Sequence, residues 1–223
     1  MLYFFMPIKL IMLDLDGTLV DTSRDITNAL NYAGEPFALK KLTMEETIAM
    51  IGEGVTRLIE KACGEEKPDL RERVIGRFLD YYSAHLTDHS VVYPNVAETL
   101  EKLHAYRKVV ISNKRENLSV QLLNTLDLLK YFDLVVGSDT TAEKKPSAVP
   151  LLHVLEKFHS LPEEALMVGD SKFDIDAGKR AGVKTLAVAY GYGEKQHLLE
   201  ADYLIDSFDA LPRILDMNSP KLI

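Results

Sequence analysis

Six short apolar runs rich in β-branched residues constrain the fold of this chain more than any other feature. In order, the runs are IKLIML (8–13), KVVI (108–111), DLVV (133–136), ALMV (165–168), KTLAVA (184–189) and YLI (203–205). Continuous apolar strands are typical of a parallel sheet that is covered on both faces. Helical patterns separate the later runs, the clearest being Leu118, Leu122, Leu126 and Leu129. This alternation predicts βαβ units with right-handed crossovers.

The interval between the first two runs is too long for a single crossover helix, since residues 14–107 lie between them. It carries three apolar stripes at helical spacing. The stripes are Ile26, Ala29, Leu30 and Ala33; Val55, Leu58, Ile59 and Ala62; and Leu70, Val74, Phe78 and Tyr81. The interval therefore indicates a small helical insert in an α/β core.

The predicted fold class is α/β, with a Rossmann-like parallel sheet, helices on both faces and a small α-helical domain inserted after the first strand. The predicted core domain comprises residues 1–19 and 86–223, and the predicted insert comprises residues 20–85. We expect residues 1–6 to form an overhang before the first strand.

Composition excludes several classes of partner. The net charge of −8 and the absence of a Lys/Arg cluster argue against nucleic acid. Cys63 is the only cysteine, which excludes an intramolecular disulfide and suits the reducing cytoplasm. The apolar start, MLYFFMPIKLIML, lacks a basic region and a cleavage site, and it is shorter than the roughly 20 residues that span a bilayer. We expect a cytoplasmic protein with no membrane partner.

Polar side chains follow three of the predicted strands at the point where each strand ends. They are Asp14 and Asp16 after the first run, Ser112 and Asn113 after the second, and Asp170 and Asp174 after the fourth. Open α/β sheets bind ligands in the crevice beyond the carboxyl ends of their strands. Crowded carboxylates raise one another's pKa or require a cation, and Mg²⁺ binds carboxylates together with substrate phosphate. The pattern therefore predicts a metal site and a phosphate site together.

Structural roles for the same residues stay open at this point. Asp14 and Asp16 could form a turn and a helix cap after the strand. Asp170 and Asp174 could be a helix N-cap and part of a solvated helix face, and Ser112 could cap the next helix.

Four short segments in chain order resemble the motifs of the haloacid dehalogenase (HAD) superfamily of phosphotransferases. They are DLDGT, SN, KKP and GDSKFD, and they extend from Asp14 to Asp174. One D-x-D-G alone is a weak signal, whereas four ordered motifs at strand ends are specific. The resemblance implies a Mg²⁺-dependent phosphatase that acts on a small phosphorylated metabolite. One departure is Ala148, which stands where many members have a second proline.

The resemblance assigns the acidic residues to the reaction and to the metal. Asp14 would be the nucleophile that forms an aspartyl-phosphate, and Asp16 would be the general acid and base. Asp14, the backbone carbonyl of Asp16 and Asp170 would hold Mg²⁺, with Asp174 as a ligand or as a partner of a ligand.

The resemblance also assigns residues to the phosphoryl group. Ser112 and the backbone N–H of Asn113 would bind its oxygens, and Lys145 would neutralise their charge, with Lys144 as the rival lysine. Gly17 would let the chain turn beside the phosphate, followed by Thr18.

Within the superfamily, the insert corresponds to a helical cap that closes over the crevice. Its segment MIGEGVTRLIEKA resembles the equivalent segment of phosphoglycolate phosphatases. A substrate carboxylate would then meet the helix start near residues 54–56, or Arg57, or Lys114. A solvated helix position is the alternative for Arg57.

Other functions remain open on sequence grounds. Superfamily relatives with this cap include pyrophosphatases, sugar-phosphate phosphatases and β-phosphoglucomutase. Outside catalysis, a receiver-like phospho-switch or a degenerate binding protein would share the strand-end aspartates. The cap and the Asp16 base argue against a switch, because Asp16 would speed the hydrolysis that a switch must avoid. Dehalogenase activity is nearly excluded by the presence of Asp16, and a monomer or a homodimer is expected.

Overall fold

A computed structural model describes residues 7–64 and 68–217, and a six-stranded parallel sheet forms its centre. In chain order the strands are β1 (Leu10–Leu13), β2 (Val20–Asp21), β3 (Val91–Val92), β4 (Arg107–Ile111), β5 (Leu134–Val136), β6 (Ala165–Gly169), β7 (Lys184–Val188) and β8 (Tyr203–Ile205). Two of them, β2 and β3, form a separate small sheet. The sheet order is β5-β4-β1-β6-β7-β8, and every neighbouring pair is parallel. The predicted α/β fold class is confirmed. The overhang expected at residues 1–6 lies outside the described residues.

Helices fill the connections between the strands. They are α1 (Ser23–Gly34), α2 (Met44–Ile48), α3 (Val55–Cys63), α4 (Pro68–Ala84), α5 (Val96–Lys102), α6 (Glu116–Thr125), α7 (Val149–Phe158), α8 (Lys172–Ala181), α9 (Lys195–Leu198) and α10 (Leu211–Met217). The first four lie between β2 and β3, where the sequence predicted a helical insert. Within the described part of the chain, the structure contains no helix with the length and apolarity that a bilayer crossing requires.

Strand β1 is apolar throughout because both of its faces are covered. All four of its side chains are fully buried. Leu10 and Met12 pack in one core cluster with Leu151 and Val154 of α7, while Ile11 and Leu13 belong to the larger cluster on the other face. This is the arrangement that a continuous apolar run predicts.

The order of the strands determines where the site forms. Strand β1 lies between β4 and β6, with Leu13 opposite Val110 and Val168. The chain therefore leaves these three neighbouring strands at one edge of the sheet. Side chains that follow them meet in the crevice at the switch in strand order.

The insert is connected to the core through the short antiparallel pair of β2 and β3. Buried Asp25 on α1 links the two connecting segments, because its Oδ2 accepts hydrogen bonds from the backbone N–H of His89 (3.0 Å) and of Ser90 (2.7 Å). The helices of the insert extend from Ser23 to Ala84, and the chain re-enters strand structure at Val91. The predicted division at residues 20–85 stays a prediction.

Helix boundaries differ from the sequence pattern in one place. Helix α6 ends at Thr125, so that Leu126 and Leu129 of the predicted stripe lie beyond it. Leu118 and Leu122 are buried as expected, but the chain turns into a separate 3-10 helix at Leu129–Tyr131. The apolar spacing therefore continued past the end of the helix.

Truncation of a β1 side chain should destabilise the fold without touching the crevice. Leu10→Ala should lower the free energy of unfolding by about 2–5 kcal/mol, because the fully buried site cannot collapse around the lost atoms. Urea denaturation measures this loss. The same substitution at exposed Leu152 on α7 is the control and should change stability by less than about 0.5 kcal/mol. Equal effects at the two positions would contradict the assigned core.

Candidate active site

Asp14 lies directly after β1 and is held against a buried lysine. Its backbone N–H donates to the Val168 carbonyl at 2.9 Å, which fixes the chain as it leaves the sheet. The Lys145 Nζ lies 2.8 Å from Asp14 Oδ1 and 2.6 Å from Asp174 Oδ1. The rival Lys144 instead donates to the Glu53 carbonyl at 2.5 Å. The structure therefore brings Lys145, and not Lys144, to the carboxylates.

Three carboxylates converge at this point. Asp14, Asp170 and Asp174 each place one oxygen within 4.8 Å of those of the other two. Asp170 is held by the Thr18 hydroxyl at 3.1 Å and by the Tyr192 backbone N–H at 2.7 Å. The strand-end pattern in the sequence predicted this convergence.

Burial and mutual repulsion raise the proton affinity of the cluster. Burial and the neighbouring Asp174 raise the pKa of Asp14 to about 7, although Lys145 opposes this rise. Burial, Asp14 and Asp174 raise the pKa of Asp170 well above its usual value. Burial lowers the pKa of Lys145, but the two adjacent carboxylates outweigh it and raise that pKa overall. Three ionised carboxylates would carry more negative charge than Lys145 balances, which is why protons bind more tightly here.

A hard divalent cation fits this donor set. The three carboxylates offer oxygen ligands, and a bound cation would relieve the repulsion that raises the pKa values of Asp14 and Asp170. The side chain of Asp16 lies outside this group of three. The expected metal contact of Asp16 through its backbone carbonyl stays a prediction.

Asp174 has a structural partner as well as a place in the cluster. It is the third residue of α8, and its Oδ2 accepts from the Ser171 hydroxyl at 2.6 Å and the Ser171 backbone N–H at 3.0 Å. Such a capping box starts the helix and fixes the carboxylate. With 1% exposure, Asp174 does not lie on a solvated face. The capping box uses Oδ2 of Asp174 and leaves Oδ1 directed toward Lys145.

Asp16 points to a different lysine. Both of its carboxylate oxygens lie 2.8 Å from the Lys114 Nζ, and the Thr22 hydroxyl donates to Oδ1 at 2.6 Å. The Tyr82 hydroxyl of α4 lies 3.0 Å from the same Nζ. Burial lowers the pKa of Lys114, but Asp16 and Tyr82 outweigh it, so that this pKa lies above its usual value.

Ser112 and Asn113 follow β4 beside the carboxylates. The Ser112 Oγ accepts from the Lys114 backbone N–H at 3.2 Å, and α6 begins only after Arg115. Ser112 is therefore not the N-cap of that helix. The Asn113 side-chain amide donates to the Lys145 carbonyl at 2.8 Å and, across to the insert, to the Gly52 carbonyl at 2.7 Å.

Gly17 is required by a close approach. Its φ is +83°, and a Cβ there would lie 2.3 Å from Asp170 Oδ2. A side chain would displace Asp170 from the cluster, so glycine is the residue that this turn accepts. The next residue, Thr18, uses its hydroxyl to hold the same carboxylate.

Asp14, Asp16 and Asp170 lie at the floor of a cleft of about 380 Å³ between core and insert. On the insert side its walls are mainly apolar, and they include Ile26, Ile48, Val55, Leu58, Phe78, Leu79 and Tyr82. Lys114, Ser112 and Asn113 line it from the core. Arg57 is not among its described lining residues, and its exposed guanidinium instead pairs with Glu60 at 2.7 Å.

The sequence did not predict two residues of the site, Tyr82 and Thr22. Tyr82 is 2% exposed, whereas the predicted stripe placed Tyr81 on the buried side of α4. Spacing of four from Phe78 was the only signal for Tyr82. Thr22 carries no motif, and its contact with Asp16 depends on how the chain enters the insert.

The chain is similar to known proteins over nearly its whole length. Residues 11–188 match the family model of haloacid dehalogenase-like hydrolases. A phosphoglycolate phosphatase of Chromobacterium violaceum is 41% identical over 211 residues, which are 92% of this chain and 95% of that protein. That of Nitrosospira multiformis is 36% identical over 227 residues, 98% of this chain and 100% of that one.

A solved structure has the same fold as this chain. A crystal structure described as a predicted phosphoglycolate phosphatase from Haemophilus somnus superposes with a TM-score of 0.85 at 30% identity. The match covers 93% of this chain and 97% of that one. The convergent aspartates, the family model and the full-length relatives lead to one conclusion, that this chain belongs to the haloacid dehalogenase-like hydrolase family.

Proposed function

We propose that the chain is a Mg²⁺-dependent phosphatase that hydrolyses a small phosphomonoester, phosphoglycolate, through an aspartyl-phosphate on Asp14. The observation that carries this proposal is the position of Asp14, which lies on the floor of the cleft between buried Lys145 and two further carboxylates. The choice of phosphoglycolate is supported by the relatives that bear this activity in their names.

Asp14 supplies the nucleophile. One of its carboxylate oxygens attacks phosphorus, a new P–O bond forms, and the bond from phosphorus to the ester oxygen breaks. An ionised carboxylate needs no activating base for this step. Lys145, 2.8 Å from Asp14 Oδ1, keeps the Asp14 side chain in place. Its positive charge also stabilises the negative charge of the phosphoryl oxygens.

Asp16 moves the protons. It donates a proton to the departing alkoxide, and it then accepts a proton from the water that attacks the aspartyl-phosphate. Inorganic phosphate leaves and Asp14 returns to its free form. The position of Asp16, two residues beyond the nucleophile and in the same cleft, is suited to reach the ester oxygen.

The remaining polar groups hold the phosphoryl oxygens. Ser112 and the backbone N–H of Asn113 lie at the end of the neighbouring strand and act as fixed donors. Asp14, Asp170 and Asp174 would hold the Mg²⁺, together with the Asp16 carbonyl. The ion supplies charge neutralisation for the carboxylates and the phosphate.

The insert, residues 20–85, acts in this proposal as a cap that sets specificity. Three donors of the core already contact it: the Asn113 amide at Gly52, the Lys144 ammonium at Glu53, and Lys114 at Tyr82. A closed cap excludes bulk water and contacts the substrate beyond the phosphate. The single buried cysteine, Cys63, supports a cytoplasmic location for such an enzyme.

Replacement of the nucleophile gives the most direct test. Asp14→Asn should reduce phosphate release from phosphoglycolate by at least about 1000-fold, because the amide cannot attack phosphorus. Initial rates of phosphate release, with unchanged circular dichroism, measure the effect. Asp80→Asn on the exposed side of α4 is the matched control and should retain full activity. Activity of Asp14→Asn within tenfold of the parent would exclude this nucleophile.

Metal binding should depend on pH in a defined direction. The pKa of Asp14 near 7 means that the metal-free folded state binds a proton that the unfolded state has released, so its stability should fall as the pH rises toward 7. Magnesium binds the ionised carboxylates and should therefore stabilise the protein more at pH 8 than at pH 5.5.

Thermal unfolding with and without Mg²⁺ checks this expectation. At pH 8 and a hundredfold excess over the Kd, the melting temperature should rise by roughly 5–10 °C. Asp170→Asn should lose most of that rise, since it removes a ligand. An equal Mg²⁺ effect at both pH values would contradict the assignment.

Contact between cap and core should affect substrate binding. Gly54 has a φ of +78°, and a Cβ there would lie 2.7 Å from the Asn113 carbonyl, so Gly54→Ala should push the cap away. We expect the KM for phosphoglycolate to rise by about tenfold. Gly76→Ala, in the open middle of α4, is the control and should leave KM unchanged. An unaltered KM in Gly54→Ala would count against a closing cap.

A further inference from the structure

The Lys114 ammonium contacts three acceptor atoms of two residues, and the proposed reaction steps use none of these contacts. Its ammonium group lies 2.8 Å from each Asp16 oxygen and 3.0 Å from the Tyr82 hydroxyl. A lysine ammonium has three N–H donors, so all three are matched by acceptors. The side chain is only 6% exposed, which makes this a built site and not a surface contact.

The same contacts occupy Asp16. Its two oxygens accept from Lys114, and Oδ1 also accepts from the Thr22 hydroxyl at 2.6 Å. As the general acid, Asp16 must carry a proton, and the neutral acid no longer forms an ion pair with the Lys114 ammonium. Asp16 must therefore give up this ion pair before it can act on the leaving group.

A second anionic group on the substrate can replace Asp16 as the partner of the Lys114 ammonium. Lys114, Asp16 and Tyr82 all line the cleft, and Lys114 lies two residues beyond Ser112 at the proposed phosphoryl site. The ester oxygen is the atom that Asp16 protonates. A carboxylate one carbon away from that oxygen would reach the Lys114 ammonium, which lies beside Asp16.

We propose that Lys114 exchanges Asp16 for the carboxylate of the substrate, and that this exchange selects phosphomonoesters of 2-hydroxy acids. The inference rests on the proposed function and names the residue that recognises the part of the substrate beyond the phosphate. Tyr82 stays on Lys114 during the exchange, so the core and the cap build the carboxylate site together.

The exchange explains how an ester without a carboxylate is rejected. Such an ester offers no anion to Lys114, so freeing Asp16 would leave a buried ammonium group without its counter-ion. A 2-phosphoryloxy acid replaces one ion pair with another and avoids that penalty. The other lysines that line the cleft, Lys61 and Lys172, are poorer candidates because their side chains are 39% and 49% exposed. Lys145 does not line the cleft, and it already holds two carboxylates.

Three esters test the selection in the unaltered protein with Mg²⁺. Phosphoglycolate carries the carboxylate one carbon from the ester oxygen, 3-phosphoryloxypropanoate carries it one carbon further, and ethyl phosphate has a methyl group instead. We expect kcat/KM to fall in that order, with a difference of about 100-fold or more between the first and the last. Equal values for phosphoglycolate and ethyl phosphate would overturn the inference.

Lys114→Met separates recognition from intrinsic reactivity, because each ester is compared between two enzymes. The variant keeps the length of the side chain and removes its charge. The kcat/KM for phosphoglycolate should fall by about 100-fold, while the kcat for ethyl phosphate should rise because Asp16 is no longer ion-paired with Lys114. Lys157→Met on α7 is the matched control and should leave both values unchanged.

The outcomes distinguish this inference from the proposed function. A parallel fall for both esters in Lys114→Met would mean that Lys114 only supports the site, and it would overturn the exchange while leaving a phosphatase. No phosphate release from any of the three esters by the unaltered protein would overturn the proposed function and the exchange together. The comparison of esters in the unaltered protein keeps the test decisive even where the variant is unstable.

Discussion

The crowding of buried carboxylates is the constraint on which the rest of this structure depends. One carboxylate oxygen each of Asp14, Asp170 and Asp174 lies within 4.8 Å of the other two, and the Lys145 ammonium contacts Asp14 and Asp174. Like charges at such distances are tolerated only if protons or cations compensate them. Burial raises the cost of uncompensated charge, so the crowding that destabilises the fold without a cation would be relieved by a bound divalent ion.

The sheet order by itself brings these carboxylates together. Strand β1 lies between β4 and β6, so each motif needs only to follow its own strand to arrive at the same edge. Local devices then refine the positions. The capping box of α8 turns Asp174 inward, and the absence of a side chain at Gly17 leaves room for Asp170. Fold and site are thus specified by the same short segments.

The part of the site that follows strand ends was predictable, because strand patterns and motif order are local. The six strands and the three clustered aspartates were found this way. Contacts that depend on how the insert packs against the core were not predictable. Apolar spacing of three or four from Phe78 allowed either Tyr81 or Tyr82 to face inward, and only tertiary packing selects Tyr82. Likewise, the helical position of Arg57 did not reveal that Glu60 would hold it outside the cleft.

Two lysines hold the two aspartates of the first motif in different surroundings. Asp14 and Asp16 are separated by one residue, yet Lys145 holds the first within the carboxylate cluster and Lys114 holds the second near the insert. The ammonium partner of Asp14 comes from the core, whereas the ammonium partner of Asp16 also contacts Tyr82 of α4 in the insert. In the proposed mechanism, Asp16 is the residue that transfers protons and Lys114 is the residue that recognises the substrate carboxylate. Proton transfer and substrate recognition would then depend on the same ammonium group, which contacts both the core and the insert.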